Sequence, residues 1–367
     1  MKNLYINARF LTQTLTGVQR YAIELLQAMD LLLHRGLNAE DIRFTVLVPR
    51  GKRADIELKH MRVKQVGYLR GHLWEQLELP LYARDGLLLN LCNASPIMKR
   101  RRIVTLHDAS VFAVPYSYSF AFRFAYRWLF RLTGQSALRI ITPSQYSREQ
   151  LMHWCKISPS IVRVIGLGVD HIHRQQVDPA FAEKLLPDMP FIVAVGSLNP
   201  HKNLQMLERA VREELSYTTI IAGSVDPRVY ADASFAVRNA AAPGSDSSLV
   251  RYAGRVDDRE LRTLYEHAVC FVFPSLYEGF GLPPLEAMAC GCPVIVSHAA
   301  SLPEVCGDAA LYCDPTDAAD IAAKIRRVID EPALAERLRR RGIAHAAPFT
   351  WERCARETFA VIQEVLS

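Results

Sequence analysis

The stretch from Ser275 to Gly291 reads SLYEGFGLPPLEAMACG, and it sets two carboxylates, Glu278 and Glu286, around a Gly-Phe-Gly turn and a Pro-Pro pair. Pro283 and Pro284 suit the first turn of a helix, which would place Glu286 in that turn as well. The backbone N–H groups of Gly279, Phe280, Gly281 and Leu282 would then lack helical partners and could face an anion, helped by the helix dipole. A glycine at 281 allows close approach of the backbone to a phosphate or a sugar. Carboxylates in turn accept hydrogen bonds from sugar hydroxyls. Either acid alone reads as a favourable first-turn or solvated loop residue. The pair around a glycine turn suits a nucleotide sugar. No GxGxxG dinucleotide signature occurs here.

These residues need elements to hold them. NLYIN and FTVLVP read as strands, and GVQRYAIELLQAM between them reads as a helix with apolar residues at 18, 22, 25, 26 and 29. RIVTLHD is a strand that ends on His107 and Asp108. LRIITPSQYSREQLMHW is a strand, a turn and a helix capped by Ser144 or Ser147. The second half repeats the pattern with PFIVAVGSL, a helix after Lys202, TTIIAG, LVRYAGRV, a helix from Asp258, VCFVF, the helix holding Glu286, and PVIVS. Continuous apolar strands alternating with helices imply parallel sheets covered on both faces. Two such series imply an α/β protein of two doubly wound, Rossmann-like domains, with ligands beyond the carboxyl ends of the strands. The sheet pattern gives way to polar residues near Asp170–Pro179. The expected parts are therefore 1–172, 173–348 and a C-terminal helix, 349–367.

The 367 residues are too many for one ordinary domain, and half are hydrophobic, enough for large cores. The start, MKNLYINARF, has no long apolar run, and no window reaches the length of a spanning helix. The expected location is cytoplasmic. Eight cysteines occur without a CxxC pair, which fits buried thiols better than zinc or a disulfide framework. Residues 1–172 carry 24 Lys+Arg against 12 Asp+Glu, a net of +12, while residues 173–367 carry 20 against 26, a net of −6. A basic first half points to an anionic surface or substrate. No nucleic-acid module is present, so a membrane surface is the better candidate.

The segment FPSLYEGFGLPPLEAMACGCPVIVS resembles the E-x7-E segment of family-4 retaining glycosyltransferases of the GT-B fold. TGVQRYAIELLQAM resembles that family's glycine loop and first helix, and VTLHD its strand ending in an active-site histidine. ITPSQYSREQL, VGSLNPHKNL, AGRVDDREL and LPEVCGDAALYCDP resemble further family segments in the same order, so the likeness spans nearly the whole chain. It implies two domains facing a cleft, with the C-terminal helix crossing back to the first. By the same resemblance Glu278 holds donor-sugar hydroxyls and Glu286 the ribose. The backbone of Gly279, Phe280, Gly281 and Leu282 contacts sugar and diphosphate. Lys202 neutralises the leaving pyrophosphate, His107 meets the donor sugar, Gly17 approaches the diphosphate, and Val256 meets the base through its backbone. His107, Glu278 and Lys202 form the expected catalytic set. Many relatives carry an arginine where Ser197 follows Gly196, so a second phosphate cation is missing here or comes from elsewhere; Arg255 is one substitute. No DxD motif occurs, and neither a metal nor a cofactor is expected beyond the nucleotide sugar.

On the acceptor side, YSYSFAFRFAYRWLFRL spaces Arg123, Arg127 and Arg131 four apart, a basic stripe if helical. With its aromatic residues it reads either as an interfacial helix on anionic lipid or as a helix packed on the sheet with snorkelling arginines. KRRR at 99–102 adds charge. HLWEQLELP resembles a segment of relatives in bacterial surface-polysaccharide assembly, and Trp74, Glu75 and Gln76 are expected to shape an acceptor cleft. The resemblance as a whole implies transfer of mannose from GDP-mannose, or of rhamnose, with retention and without metal. The expected acceptor is a lipid-linked glycan in lipopolysaccharide O-antigen or other surface-polysaccharide synthesis, at the inner face of the cytoplasmic membrane. A sugar-nucleotide epimerase of the same fold and a non-catalytic nucleotide-sugar-binding relative are the alternatives.

Overall fold

Runs such as FIVAV and CFVF carry no polar alternation, so both faces of each strand must be covered. The computed structural model bears this out; it describes residues 1–37, 39–51, 55–185, 189–223 and 249–367. Strands β1 (Lys2–Asn7), β2 (Ile42–Pro49), β3 (Arg62–Val66), β4 (Leu87–Asn90), β5 (Arg102–Thr105), β6 (Arg139–Thr142) and β7 (Val162–Val164) form one sheet in the order β3-β2-β1-β4-β5-β6-β7. Strands β8 (Phe191–Val195), β9 (Thr218–Ala222), β10 (Val250–Gly254), β11 (Cys270–Phe273), β12 (Val294–Ser297) and β13 (Leu311–Cys313) form a second sheet, β10-β9-β8-β11-β12-β13. Every pairing is parallel. Both orders turn about the first strand of their sheet, the doubly wound arrangement. The strand order reverses between β1 and β4 in the first sheet and between β8 and β11 in the second.

The helices used below are α1 (Gly17–His34), α2 (Phe120–Ser136), α3 (Gln145–Cys155), α4 (Leu204–Glu214), α5 (Asp258–His267), α6 (Leu282–Ala289), α7 (Ala318–Asp330), α8 (Pro332–Ala346) and α9 (Trp351–Leu366). Ser144 caps α3 by accepting from the Ser147 N–H. Asp257 caps α5 in a reciprocal capping box with Glu260.

The chain divides into two compact units. One holds Met1–Ala109, Phe124–Gly168 and Phe349–Ser367, the other Ser110–Arg123 and Val169–Pro348. The sequence-based bounds 1–172 and 173–348 differ from this partition in two places. The division falls between Gly168 and Val169, and Ser110–Arg123 groups with the second unit, where Tyr118 stacks on His201 with ring centroids 6.3 Å apart.

Helix α9 belongs to the first unit and packs along α1. Phe359 meets Phe44 edge-on at 5.8 Å, Trp351 lies 6.1 Å from Tyr21, and Glu364 pairs with Arg139 and Arg163 at 2.7 and 2.8 Å. Burying Trp351 and Phe359 is worth about 1.5–3 kcal/mol each, which holds the last helix against the first. Among the described residues, no helix is long and apolar enough to cross a membrane.

Candidate active site

In the second unit, the loops that leave β8 and β11 meet at the point where the strand order reverses. The β8 loop begins at Gly196, whose N–H donates to Ala222 at 3.0 Å. A Cβ on Gly223 would fall 1.7 Å from the Gly196 oxygen, so the end of β9 can lie against the start of the β8 loop only because residue 223 is glycine. Ser197 follows, and Asn199 Nδ2 donates to its hydroxyl oxygen at 2.6 Å. That leaves the Ser197 proton for another acceptor. A 3-10 turn, Pro200–Lys202, then places Lys202 ahead of α4. Asn203, left-handed at φ 57°, ties the loop down by donating to the Pro274 and Pro315 carbonyls at 3.1 and 2.6 Å.

The β11 loop brings Ser275 and Glu278 against this lysine. Lys202 Nζ donates to Glu278 Oε1 at 2.6 Å, and the Ser275 hydroxyl donates to the same oxygen at 2.5 Å. The Leu276 N–H and the Ser275 hydroxyl also reach the His201 carbonyl, at 2.8 and 3.2 Å. Ser301 Oγ binds the carbonyls of Glu278 and Phe280 at 3.0 and 2.9 Å, which fixes the turn between the two glutamates. Gly281 is left-handed at φ 111° and caps α6, and a Cβ there would lie 2.8 Å from Leu302 Cδ2. Its glycine is therefore required by the local fold itself.

One expectation for this loop needs correction. Helix α6 begins at Leu282, so Pro283 lies in its first turn but Glu286 lies beyond it. Glu286 is also buried. His171 Nε2 sits 3.0 Å from its Oε1, and the Tyr265 hydroxyl donates to Oε2 at 3.3 Å. Burial, and the Glu286 charge beside it, push the Tyr265 phenol well above its usual value, so it remains a donor. Each Glu286 oxygen keeps further acceptor capacity. The sequence reading missed His171 and Tyr265. A histidine at the start of the second unit carries no local signal for a partner more than a hundred residues on.

Val256 is half-buried between Gly254, at φ 68°, and the Asp257 cap of α5. Arg255 is exposed there. Thus Ser197, Lys202, Glu278, Gly279, Phe280, Gly281, Leu282 and Glu286 come together in the second unit.

His107 and Gly17 belong to the first unit. His107 follows β5 and is buried, with its ring edge-on to Tyr21 at 4.7 Å. Its Nε2 lies 3.0 Å from the Leu91 carbonyl, and its own carbonyl accepts from Ser147 Oγ at 3.0 Å. Burial lowers its pKa, against the Leu91 hydrogen bond and the Asp108 charge. A neutral ring that donates from Nε2 presents Nδ1 as an acceptor. Gly17 is the first residue of α1, one turn before Tyr21, and an added Cβ there would meet nothing within 4 Å.

The acceptor-side expectations change more. Trp74 is fully buried, donating its indole N–H to the Val66 carbonyl at 2.9 Å, and so is a core residue rather than a cleft wall. Glu75 is buried among Asn7, Arg9 and His72. Half of the 99–102 basic run is internal. Lys99 donates to the Ala83 and Arg84 carbonyls at 2.6 and 3.2 Å, and Arg102, held down to about 10 by burial, donates to Ile97 and Ser136. Arg123, Arg127 and Arg131 do lie on one continuous helix, α2. The first two are half-buried and Arg131 is exposed.

Residues 15–172 match the model of Glycosyltransferase Family 4, and residues 178–345 that of Glycosyl transferases group 1. The chain is 33% identical over 272 residues to the O-antigen chain mannosyltransferase B of Escherichia coli, covering 72% of this chain and 70% of that one. It is 24% identical over 344 residues to the O-antigen chain mannosyltransferase RfbU of Salmonella typhimurium, covering 90% and 92%. In fold it matches the sucrose-phosphate synthase of Thermosynechococcus elongatus with a TM-score of 0.76 at 20% identity, covering 100% of this chain and 99% of that one. Two parallel sheets with the same switch-point geometry, both family models and the Escherichia coli relative agree: the chain belongs to the group 1, family-4 glycosyltransferases of the GT-B fold and is a glycosyltransferase.

Proposed function

We propose that this enzyme transfers mannose from GDP-mannose, or rhamnose from its nucleotide, to a lipid-linked glycan in O-antigen or related surface-polysaccharide synthesis. Anomeric configuration is retained and no metal takes part. The observation that carries the reading is the Lys202–Glu278–Ser275 constellation at the switch point of the second sheet. The names of the two O-antigen mannosyltransferase relatives support the sugar and the pathway.

Each group has a role that its chemistry suits. Lys202 meets the diphosphate, and its cation stabilises the charge that grows as the bond from the anomeric carbon breaks. The Ser197 hydroxyl donates to a phosphate oxygen in place of the arginine found in many relatives. Freed from Lys202, Glu278 accepts hydrogen bonds from sugar hydroxyls. Glu286 accepts from the ribose, His107 accepts a sugar hydroxyl proton at Nδ1, and Gly17 leaves room for the diphosphate. The electron pair of the glycosidic bond leaves with the diphosphate, and the acceptor oxygen attacks the same face. Its proton passes to the departing phosphate oxygen, so no enzyme nucleophile is required. With Lys202 supplying the positive charge, the step has no need of a divalent ion.

Peripheral membrane binding is part of the reading. Leu73, Leu77 and Leu81 repeat every four residues, as do Phe124 and Trp128, and Met98 follows Ile97; each of these six, Ile97 aside, is more than half exposed, from 52% for Trp128 to 83% for Met98. His72 stacks edge-on with Tyr126 at 5.8 Å, and Gln76 accepts from Ile97 N at 3.0 Å, which ties the three segments together. An apolar face of this size on a chain bearing Arg100, Arg101, Arg127 and Arg131 nearby suits an anionic bilayer.

The test is thermal stabilisation by GDP, UDP, dTDP, ADP and CMP, followed by transfer from the matching sugar nucleotide and NMR of the product anomer. Stabilisation by GDP with an α-mannosyl product supports the reading. Stabilisation by none of the five refutes it.

A further inference from the structure

A second polar cluster occupies the switch point of the first sheet. Asn7 and Asn90 end β1 and β4 and face each other in register. Asn7 Nδ2 donates to Asn90 Oδ1 at 3.0 Å and to Glu75 Oε1 at 2.7 Å. Arg9 Nε lies 3.3 Å from that same carboxylate oxygen. The other oxygen, Oε2, faces His72 Nδ1 at 3.2 Å, and the far nitrogen of that ring, Nε2, lies 3.3 Å from the Tyr126 hydroxyl. The order Asn90, Asn7, Glu75, His72 runs from a fully buried amide to a histidine side chain that is 50% exposed, and Tyr126 follows it.

Residues Trp74–Glu78 form a π-helix, an uncommon turn that is frequently found at functional sites. Burial works against the Glu75 carboxylate, but the hydrogen bond from His72, the Arg9 charge and the Asn7 amide more than offset it, so it stays anionic. An anionic Glu75 facing Nδ1 fixes the His72 ring, which turns Nε2 toward the Tyr126 hydroxyl.

We propose that His72 and Tyr126 form an acceptor-sugar subsite at this switch point, with Glu75 and Arg9 as positioning residues that fix the His72 ring. The ligand is a sugar hydroxyl that inserts between His72 Nε2 and the Tyr126 hydroxyl and hydrogen-bonds to both in place of their contact. This rests on the glycosyl-transfer reading above. It moves the acceptor contact from Trp74, which the core absorbs, to the exposed end of the same helical segment.

The probe is octyl α-D-mannoside. Saturation-transfer NMR reads its binding without any donor, and kinetics with GDP-mannose read its use. The parent should give a clear saturation-transfer signal, and H72Q and Y126F should lose most of it, with melting temperatures close to the parent's. In transfer, H72Q should raise KM for octyl mannoside at least tenfold while KM for GDP-mannose stays within about twofold. E75Q should act through His72, so the H72Q/E75Q double variant should be no worse than H72Q alone. A parent without a signal, variants that keep it, or a rise in donor KM instead of acceptor KM would overturn the subsite. Absence of stabilisation of the parent by any of the five nucleotides would refute the donor reading, whereas the donor-free signal decides this one on its own.

Discussion

Lys202 and Glu278 neutralise each other across 2.6 Å, so a donor must exchange that ion pair for two contacts of its own. In the proposed reading the diphosphate takes the lysine, and the sugar hydroxyls take the carboxylate. Lys202→Ala should therefore lower kcat about 10²–10³-fold, the usual cost of removing one preorganised group from a charged transition state. Glu278→Ala should abolish measurable transfer with the fold intact by circular dichroism. A variant of either residue with parental kcat would remove it from the mechanism. Gly17→Ala separates ligand approach from folding, because the added Cβ meets nothing; donor KM should rise while the melting temperature holds. His201, next to Lys202, is buried, its Nδ1 has no partner among the described side chains, and burial together with the Lys202 charge holds its pKa to about 3. In the unfolded chain it titrates near 6.5. Between those values the unfolded chain binds more protons than the native one, so stability rises with pH. The His201 contribution is full above about pH 6.5 and is lost as pH falls toward 3. The urea midpoint should drop more between about pH 7.5 and 5.5 for the parent than for His201→Phe, and equal drops would show that His201 is not held neutral by the fold.

Two glycines carry the loops at the second switch point, and they should fail differently. At Gly281 an added Cβ meets the far end of Leu302, 2.8 Å away, which can swing aside, although φ of 111° still strains any other residue. At Gly223 the Cβ meets the Gly196 carbonyl at 1.7 Å, and backbone cannot move so easily. Gly281→Ala should cost about 1–3 kcal/mol, and Gly223→Ala clearly more, with nucleotide binding lost in the latter; a urea titration of both variants orders them, and the reverse order would refute the argument. These elements also mark what the sequence could reveal. Apolar strands such as FIVAV and CFVF announce themselves because both faces are buried, and the capping residues of α3 and α5 do so by local chemistry. Strand β3, RVKQV, does not, since as an edge strand it keeps Arg62 and Lys64 exposed and loses the apolar pattern. Within the site, the glutamate spacing and the lysine loop were legible. The depth of Glu286 was not, because its one-turn offset depends on where Gly281 breaks the backbone. The His171 and Tyr265 partners, the burial of Trp74 and the Gly223 contact all depend on chain segments far apart in sequence.

At the scale of the whole molecule, charge is divided, with +12 in residues 1–172 and −6 in the rest. The apolar stripes of Leu73, Leu77 and Leu81 and of Phe124 and Trp128 lie in the basic part. A soluble chain has little reason to hold such side chains in water, whereas a bilayer rewards both features. Apolar residues enter the interface, and each basic residue near an anionic surface adds about 1 kcal/mol. The protein should therefore co-sediment with phosphatidylglycerol-containing vesicles and much less with phosphatidylcholine alone. About 1 M salt, where the Debye length shrinks to roughly 3 Å, should release a large part of it. R127Q/R131Q should weaken binding to anionic vesicles about thirtyfold, two charges at about 1 kcal/mol each. L77S/W128S should weaken binding to both kinds of vesicle, since it removes insertion rather than attraction. Equal binding to anionic and neutral vesicles would refute the electrostatic half of this account, and no binding to either would refute the whole. If sedimentation velocity instead showed a dimer that L77S/W128S converts to monomer, the face would belong to a second copy of this chain. The +12 charge makes that outcome the less favourable one, because two such faces would repel where an anionic surface attracts.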